Sequence, residues 1–198
     1  MKENIVPAFW LSLIFLMVFS GIYTLTIWTA ALLAPHEGAG RLSAGKDQSY
    51  YTDIGQSFTD DRYFWSRPSA VAYNAAGSAG SNKGPTNPDY LQTVRDRIDT
   101  LLAHHPGVRR EDIPSDLLTA SGSGLDPHIS PEAALIQVTR VAKTRGLPEE
   151  RLRELVAEHT EKPWLGLFGP RRVHVLRLNL ALDMPGTDAG PSTQNDQK

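Results

Sequence analysis

The stretch FWLSLIFLMVFSGIYTLTIWTAALL, residues 9–33, decides how this chain is organised. It is dominated by Leu, Ile, Phe, Val, Trp and Ala, and the uncharged run extends beyond it on both sides. A helix needs about 20 such residues to cross the roughly 30 Å hydrocarbon core of a bilayer. Trp10 and Trp28 would lie about 27 Å apart along that helix, which suits the aromatic belts at two membrane interfaces. The stretch therefore predicts a transmembrane anchor within residues 1–35.

Two other interpretations of the apolar stretch are weaker. A cleaved signal peptide carries an apolar region of only about 7–15 residues after a basic start. Here the run is longer, and the start, MKEN, is barely basic. A buried helix of a soluble protein would need equally apolar partners, which the rest of the chain does not provide. We therefore expect an uncleaved anchor that stops at Pro35.

The charges that flank the anchor do not decide its orientation. Lys2 and the amino terminus precede the span, and Arg41 and Lys46 follow it. The count of positive charges on the two sides is close to even, so the positive-inside rule leaves the side of the membrane open.

Small and hydroxylated side chains form one smooth stripe on the predicted span. Ser20 and Thr24 are four positions apart, and Gly21 lies beside them. Such a stripe lets the backbone of a neighbouring membrane helix approach closely. We expect a contact with a partner helix at these residues, although small residues are frequent in any membrane helix.

The rest of the chain has the composition of a small soluble domain. Residues 36–49 are polar and contain glycine, which is typical of a linker, and the polar tail at 185–198 is expected to be disordered. Residues 50–184 are predicted to form one mixed α/β (α+β) domain. The net charge of −2 and the lack of a basic block argue against nucleic acid as the main partner. The chain has no cysteine, which excludes disulfides and thiolate metal sites.

Capping residues mark three helices in this domain. Asn87 and the proline after it predict the start of the first helix. Ser130, followed by Pro131, predicts the start of a second helix, which Gly146 is expected to end. A third helix is expected to begin at Pro148.

Three segments predict strands. YYTDIGQSF (50–58) and YFWSRPSAVAY (63–73) are rich in aromatic and β-branched residues, which favour short strands. RVHVLRLNLALD (172–183) alternates, imperfectly, between apolar and polar residues. It predicts a strand that closes the domain.

The segment GSNKGPTNP, residues 80–88, is a glycine-rich turn before a helix, a place where phosphates often bind. In a Walker A loop the lysine follows the second glycine, and a hydroxyl residue comes next. Here Lys83 precedes Gly84, and no hydroxyl follows in register. We therefore predict a rigid docking or entrance surface, with an anion-binding nest as the alternative. The residues expected to shape this loop are Gly80, Asn82, Gly84 and Asn87.

No set of residues in the sequence predicts an enzyme or a metal site. Asp126, His128 and Glu132 carry donors that zinc or manganese accepts, but no second histidine near them completes a set. The DKTGT phosphorylation motif of P-type ATPases, a nucleophile elbow and HExxH are all missing from the sequence. Asp126 precedes a proline and is interpreted as a turn residue. We predict no catalytic residue, no bound metal and no firmly bound cofactor.

Several long motifs, in one order behind a single span, resemble a known family. They are YFWSRPSA, GSNKGPTNP, DIPSDLLTASGSGLDPHISPEAA, QVTRVAKTRGL and HTEKPWLGLFGPRRVHVLRLNLALD. Together they resemble the C subunit of the Kdp-type potassium-transporting ATPase of bacteria over residues 53–183. The residues at 34–52 and the tail after Met184 carry no part of the resemblance.

The resemblance implies a non-catalytic, single-span subunit of an inner-membrane complex. In that family a channel-like A subunit selects potassium, and a P-type ATPase B subunit hydrolyses ATP. The C subunit has its soluble domain on the extracytoplasmic side. It is described as a stabiliser of the assembly and as a catalytic chaperone that raises the ATP affinity of the pump. These properties are expected here, with potassium as the transported ion and ATP met through the complex.

Two questions stay open beside the resemblance. The stretch around Gln137, Arg140 and Gly146 has been compared in that family with the signature of ABC transporters. Gln137, Arg140 and Arg145 are therefore candidate nucleotide-binding residues, while a helix with a glutamine face explains them without ATP. The alternative to a pump subunit is a membrane-anchored extracytoplasmic binding module that acts without a pump.

Overall fold

The computed structural model describes residues 2–34, 40, 42–44 and 49–184, and the chain divides into two compact units, Met1–Leu42 and Ser43–Lys198. The predicted tail at 185–198 and most of the predicted linker at 36–49 lie outside the described residues. The domain boundaries expected from the sequence therefore stay predictions.

The first unit is one long helix with a local change of pitch. Helix α1 (Lys2–Leu16) continues through a π-helical segment (Met17–Ile22) into helix α2 (Tyr23–Leu32). By length and composition, the 29 residues of Asn4–Leu32 can cross a membrane. Their side chains are almost all exposed in the isolated chain, as expected for a helix whose solvent is lipid.

The second unit combines short strands with helices. Its elements are β1 (Leu42–Ala44), β2 (Ser49–Tyr51), α3 (Pro88–His104), 3₁₀ turns at Arg110–Asp112 and Ser115–Leu117, β3 (His128–Ile129), α4 (Pro131–Leu135), α5 (Val138–Arg145), α6 (Glu149–Glu158), β4 (Thr160–Glu161), β5 (Arg172–His174) and α7 (Val175–Leu182). Strands β1 and β2 pair with each other, and β3, β5 and β4 form an antiparallel sheet in that order. The predicted fold class, a mixed domain behind an apolar N-terminal helix, is confirmed.

The core of this unit lies between the helices and the three-stranded sheet. Each helix presents its apolar face inward, because apolar residues recur three and four positions apart. The fully buried side chains include Leu152 on α6, Val138 and Val141 on α5, and Leu178 and Leu182 on α7.

The predicted helix starts are confirmed by their hydrogen bonds. The side chain of Asn87 accepts from the backbone N–H of Tyr90 at 3.0 Å, and Ser130 Oγ accepts from Ala133 N at 3.1 Å. Gly146 has φ +69°, the left-handed conformation that ends α5 and that glycine adopts without strain. These signals are local, so the sequence alone is enough to place them.

The second predicted helix is in fact two helices, α4 and α5. The side-chain amide of Gln137 donates to the carbonyl oxygen of Ala133 at 3.0 Å, which occupies the acceptor that a backbone N–H would use in a continuous helix. The backbone N–H of Gln137 bonds to Ala134 instead. The tightened turn separates the two helices at Ile136 and Gln137.

The predicted strand at 172–183 is wrong beyond its first three residues. Only Arg172–His174 is a strand, and Val175–Leu182 is helix α7. Val175, Leu178, Asn179 and Leu182 are buried together, at the spacing of one helical face. The approximate alternation of the sequence thus fits a helix whose inward stripe contains one polar residue.

The predicted strands at 50–58 and 63–73 are also wrong, apart from Tyr50 and Tyr51, which end β2. Residues 61–65 have no strand partner in the described structure, and side chains from distant helices bind their backbone instead. That arrangement is the most distinctive polar feature of the domain.

Candidate functional site

A short irregular segment, residues 61–65, is held almost wholly by side chains; we call it the clasped segment. Each of its five carbonyl oxygens accepts a hydrogen bond from a side chain of α5 or α7 or from the residue that joins α4 to α5. The donors, which we call the clasp, are Gln137, Arg140, Arg145 and Asn179. Because buried backbone groups need partners, the clasp replaces the neighbouring strand that this segment lacks.

Gln137 pairs with the backbone of Trp65 in both directions. Its Oε1 accepts from the Trp65 N–H at 2.7 Å, and its Nε2 donates to the Trp65 carbonyl at 3.4 Å. The side chain is completely buried, and its remaining bonds go to Ala133 and Arg140. All of its hydrogen-bonding capacity is therefore used inside the domain.

Arg140 contributes the largest share of the clasp. Its guanidinium donates to the carbonyl oxygens of Asp61 (2.6 Å) and Tyr63 (3.0 Å) and to Gln137 Oε1 (2.8 Å). It also lies 4.5 Å from the centre of the Trp65 ring, a cation–π contact. Burial lowers the pKa of Arg140 to about 10, so the side chain is still charged at neutral pH.

His105 completes the surroundings of that buried charge. Its Nδ1 lies 2.7 Å from the Leu101 carbonyl and is assigned the proton, which leaves Nε2 to accept from Arg140 Nε at 2.9 Å. Burial lowers the pKa of His105 to about 4, and the charge of Arg140 acts in the same direction. The imidazole is thus neutral at physiological pH, as its acceptor role requires.

Arg145 and Asn179 hold the two remaining carbonyl groups of the segment. Arg145 Nε donates to the Arg62 carbonyl at 2.6 Å, and its guanidinium pairs with Asp183 at 2.8 Å. Asn179 bonds both the N–H and the carbonyl of Phe64, each at 2.9 Å. The Phe64 ring is fully buried, so the bonds to its backbone also hold an aromatic side chain in the core.

Two open clefts flank this arrangement. A cleft of about 630 Å³ is lined by Asp61, His104 and Arg140, and another of about 550 Å³ is lined by Trp65 and Arg67. His104, at the rim of both, bonds the Asp61 carboxylate at 2.9 Å. Since the Arg140 donors already bind protein atoms, the clefts present mainly apolar and exposed polar groups.

Comparison with known proteins identifies the family. Residues 5–184 match the family described as KdpC: K+-transporting ATPase, c chain. The chain belongs to this family. A potassium-transporting ATPase KdpC subunit from Flavobacterium johnsoniae is 51% identical over 182 residues, which cover 91% of this chain and 98% of the relative. Subunits of the same name from Phocaeicola vulgatus and Polaromonas naphthalenivorans are 48% and 51% identical, over 91% and 92% of this chain and 98% and 95% of the relatives.

KdpC membership confirms the family predicted from the motifs. It also confirms the interpretation of the chain as an accessory subunit of an ATPase rather than its catalytic subunit. Potassium is the ion that the ATPase of this family transports. The candidate membrane helix fits a membrane-anchored subunit, while the side of the membrane stays a prediction.

The candidate nucleotide residues of this KdpC-family chain come together in the structure, but they face the protein. Gln137, Arg140 and Arg145 all bind the clasped segment. Gly146 ends their helix and bonds nothing in the segment. The sequence analysis missed Asn179 and His105. The available signal for Asn179 was a lone amide on an otherwise apolar helical face, and His105 directly follows the end of α3.

The predicted docking loop is mostly exposed and is fixed at its ends. Asn87 caps α3, and an ideal Cβ at Gly80 would lie 3.1 Å from the carbonyl oxygen of Gly122. Asn82 adopts φ +50°, and Gly84 has open space where a side chain would project. The role of these residues as a docking surface stays a prediction.

The predicted stripe on the span coincides with the π-helical segment. Ser20 and Gly21 lie inside it, and Thr24 Oγ1 reaches back to the Phe19 carbonyl at 3.3 Å, one residue further than in an α-helix. Such π segments are rare and frequently occur at functional positions in helices. The sequence did not indicate the change of pitch, and the partner contact stays a prediction.

The Asp126–His128 pair, considered for a metal, is an ordinary ion-pair cluster. Asp126 accepts from His128 Nδ1 (3.1 Å) and from Arg67 (3.2 Å), and His128 Nε2 lies 3.8 Å from Glu161. Burial alone would raise the pKa of Asp126, but these hydrogen bonds and charges outweigh it and lower the pKa. Within residues 2–34 and 49–184, no three His, Cys, Asp or Glu side chains are placed to hold a metal ion. Glu132 lies in the first turn of α4, where its charge suits the helix dipole.

Proposed function

We propose that this chain is the membrane-anchored accessory subunit of a high-affinity, ATP-driven potassium uptake pump of the inner membrane. Its partners are a channel-like A subunit, which selects potassium, and a P-type ATPase B subunit, which hydrolyses ATP. The subunit stabilises their assembly. The observation that carries this proposal is the match to the KdpC family over residues 5–184.

The test of assembly is purification in mild detergent. A pump subunit is recovered with two larger partners, and its removal lowers the yield of the intact pump. A monodisperse single chain with normal pump yield in its absence would instead support a binding module that acts alone.

The soluble domain is proposed to lie outside the cytoplasm. The chain has no cysteine, so one introduced at the exposed Ser123 provides a single label. It should react with a membrane-impermeant maleimide in cells whose inner membrane is intact. Labelling only after lysis of the inner membrane would reverse the orientation.

Raised ATP affinity is proposed to act through the assembly, and not through a phosphate site on α5. The donors of Arg140 already bond His105, Gln137 and the carbonyls of Asp61 and Tyr63, so they are not available to a phosphate. The full chain alone should neither hydrolyse ATP nor take a phosphate label, while its addition to the other subunits should lower the ATP concentration needed for half-maximal activity.

Direct nucleotide contact by Gln137, Arg140 and Arg145 is the competing hypothesis. A photoreactive ATP analogue bound to the whole complex distinguishes the two. Cross-links confined to the ATPase subunit support the indirect route, whereas cross-links in residues 137–145 of this chain would establish contact.

The partner helix is proposed to contact the stripe at Ser20, Gly21 and Thr24. Replacing Gly21 by Leu should reduce recovery of the complex, because the added side chain holds a neighbouring backbone away. Ala30→Leu is the matched control, since Ala30 lies on the opposite side of the helix at about 100° per residue. Equal recovery of the two variants would place the contact elsewhere.

The docking loop has its own matched pair of variants. Ideal Cβ atoms at both Gly84 and Gly77 meet no atom within 4 Å, so a long side chain at either position leaves the fold intact. Gly84→Arg should weaken assembly if residues 80–87 dock on a partner, while Gly77→Arg should not. The same result for both variants would count against this loop.

A further inference from the structure

An apolar hairpin at residues 163–169, which we call the apolar tip, stands apart from the core. Its large side chains are far more exposed than is usual for their type: Trp164 (70%), Leu165 (72%), Leu167 (82%) and Phe168 (60%). Scattered single apolar residues need no explanation, but a contiguous group of four marks an interaction site.

The apolar tip has a defined shape despite its exposure. Trp164 and Phe168 exchange both backbone hydrogen bonds, at 2.9 and 3.0 Å, and their rings lie 5.6 Å apart. The N–H groups of Gly166 and Leu167 bond back to Pro163 and Trp164. These N–H groups are thus satisfied within the hairpin. The groups that the hairpin presents to its surroundings are mainly its apolar side chains.

Basic side chains stand at the base of the apolar tip. Lys162 and Arg171 flank it in sequence and are exposed, and neither has an ion-pair partner among the residues that the structure describes. Arg172 is paired with Glu161 at 2.8 Å.

Two carboxylates lie in the cleft beside Arg171 and are already occupied. Asp116 accepts from the N–H and the hydroxyl of Ser130, and Asp126 is bound by Arg67 and His128. Ser130 is neutral, so Asp116 keeps its negative charge, but Lys162 and Arg171 outnumber it and Glu161 is matched by both Arg172 and Arg177. The net charge around the apolar tip is therefore positive.

We propose that the apolar tip docks onto an anionic lipid bilayer, with Trp164, Leu165, Leu167 and Phe168 in the interfacial region and Lys162 and Arg171 against the headgroups. Trp is favoured at that depth, and exposed apolar area together with basic residues is the composition of interfacial anchors.

The backbone and the tether favour lipid over a protein groove. Backbone groups that enter the hydrocarbon boundary are costly unless they are hydrogen-bonded internally, and this hairpin pairs the N–H groups of four of its residues within itself. The rest of its backbone can stay hydrated at interfacial depth. The chain also carries its own candidate membrane span, Asn4–Leu32. The domain is therefore tethered to a bilayer by its own chain.

The test uses the full chain in vesicles, with one environment-sensitive label at Leu165→Cys. Ala75→Cys, on an exposed loop elsewhere in the domain, is the matched control. In vesicles of equal parts phosphatidylcholine and phosphatidylglycerol that carry a shallow lipid quencher, the label at 165 should be quenched about threefold more than the label at 75. Equal quenching at the two sites would overturn the proposal.

Charge and partner variants separate the remaining outcomes. Lys162→Glu with Arg171→Glu should lose most of the lipid quenching at 165 in these vesicles, and vesicles of phosphatidylcholine alone should reproduce that loss with the unmodified charges. Quenching that ignores both changes would contradict docking onto an anionic surface. In the whole complex, a label at 165 that is shielded from lipid and aqueous quenchers alike would assign the apolar tip to a protein partner and overturn the lipid proposal.

Discussion

The clasped segment (61–65) and the apolar tip (163–169) are both aromatic stretches outside regular strands, yet they have opposite surroundings. Phe64 is fully buried, and every carbonyl of its segment is bound by a distant side chain. Trp164 is 70% exposed, and its hairpin bonds only to itself.

The difference shows that an aromatic loop can be buried when side chains of the domain bond its backbone, and that it stays exposed when they do not. Polar side chains on α5 and α7 meet the backbone needs of residues 61–65, so that segment can be buried as part of the core. The apolar tip pairs four of its N–H groups within itself and bonds none of them to the rest of the domain. One stretch stabilises the fold, and the other is free for a partner surface.

The largest expected effect comes from breaking the clasp at Arg140. Arg140→Ala removes the donors to the half-buried carbonyls of Asp61 and Tyr63 and one of the two donors to the buried Oε1 of Gln137. We expect a loss of about 3–5 kcal/mol in the free energy of unfolding, because several hydrogen bonds from a charged donor are lost together. Urea unfolding of the full chain in mild detergent, followed by tryptophan fluorescence, measures it.

Arg151→Ala is the control for that variant. Arg151 on α6 pairs with Glu154 and Glu158 at 3.3 and 3.9 Å, but its side chain is 39% exposed. Exposed pairs contribute at most about 1 kcal/mol. If the two arginine variants lose similar stability, the hydrogen bonds of Arg140 contribute no more to the fold than an exposed ion pair does.

The next effect is on the pH dependence of stability, through His105. Its pKa is about 4 in the folded chain against 6.5 for the unperturbed side chain, so the unfolded chain binds the extra proton between these values. The stabilisation is therefore complete above about pH 6.5 and is lost as the pH falls through 4, by at most about 3 kcal/mol.

Thermal unfolding between pH 7.5 and 4 checks this dependence, with His105→Gln as the comparison. The variant should have a flatter profile across that range. Part of the slope should persist, because burial also lowers the pKa of His174. A profile identical to that of the unchanged chain would show that His105 is not buried in its neutral form.

How much of this could be predicted from the sequence depends on the range of the interactions. The caps at Asn87 and Ser130 and the end of α5 at Gly146 were predicted correctly, because each acts within a few residues. The clasp was not, since Gln137 is 72 residues from Trp65 and Asn179 is 115 from Phe64. No local pattern connects such positions.

The wrong strand predictions have the same origin. An aromatic, β-branched stretch at 63–73 favours a strand only if a neighbouring strand is present, and here side chains take that place. In α7, Asn179 caused the wrong strand prediction. A polar residue between apolar ones suggests the exposed position of a strand, but Asn179 is buried and bonds the backbone of Phe64.

A smaller effect is expected at that position. Asn179→Leu keeps the number and branching of the side-chain heavy atoms but leaves the N–H and the carbonyl of Phe64 without partners. We expect a loss of about 2 kcal/mol, less than for Arg140 because only neutral hydrogen bonds are lost. Asn74→Ala, at an exposed turn where the side chain accepts from Ala76 N, should cost little. Equal losses would mean that the Phe64 backbone finds other partners.

The smallest expected effect is in the apolar tip. Leu167 is 82% exposed, so Leu167→Ser removes almost no buried apolar surface and should change the free energy of unfolding by less than about 0.5 kcal/mol. Leu178→Ala, in the fully buried face of α7, should cost about 2–5 kcal/mol. Urea unfolding of both variants gives the comparison. A large loss for Leu167→Ser would show that the tip packs on the domain, and the contrast between a structural loop and a free one would fail. A small loss would show that Leu167, the most exposed of the four side chains, has no role in folding, as expected for a surface that is apolar because a partner covers it.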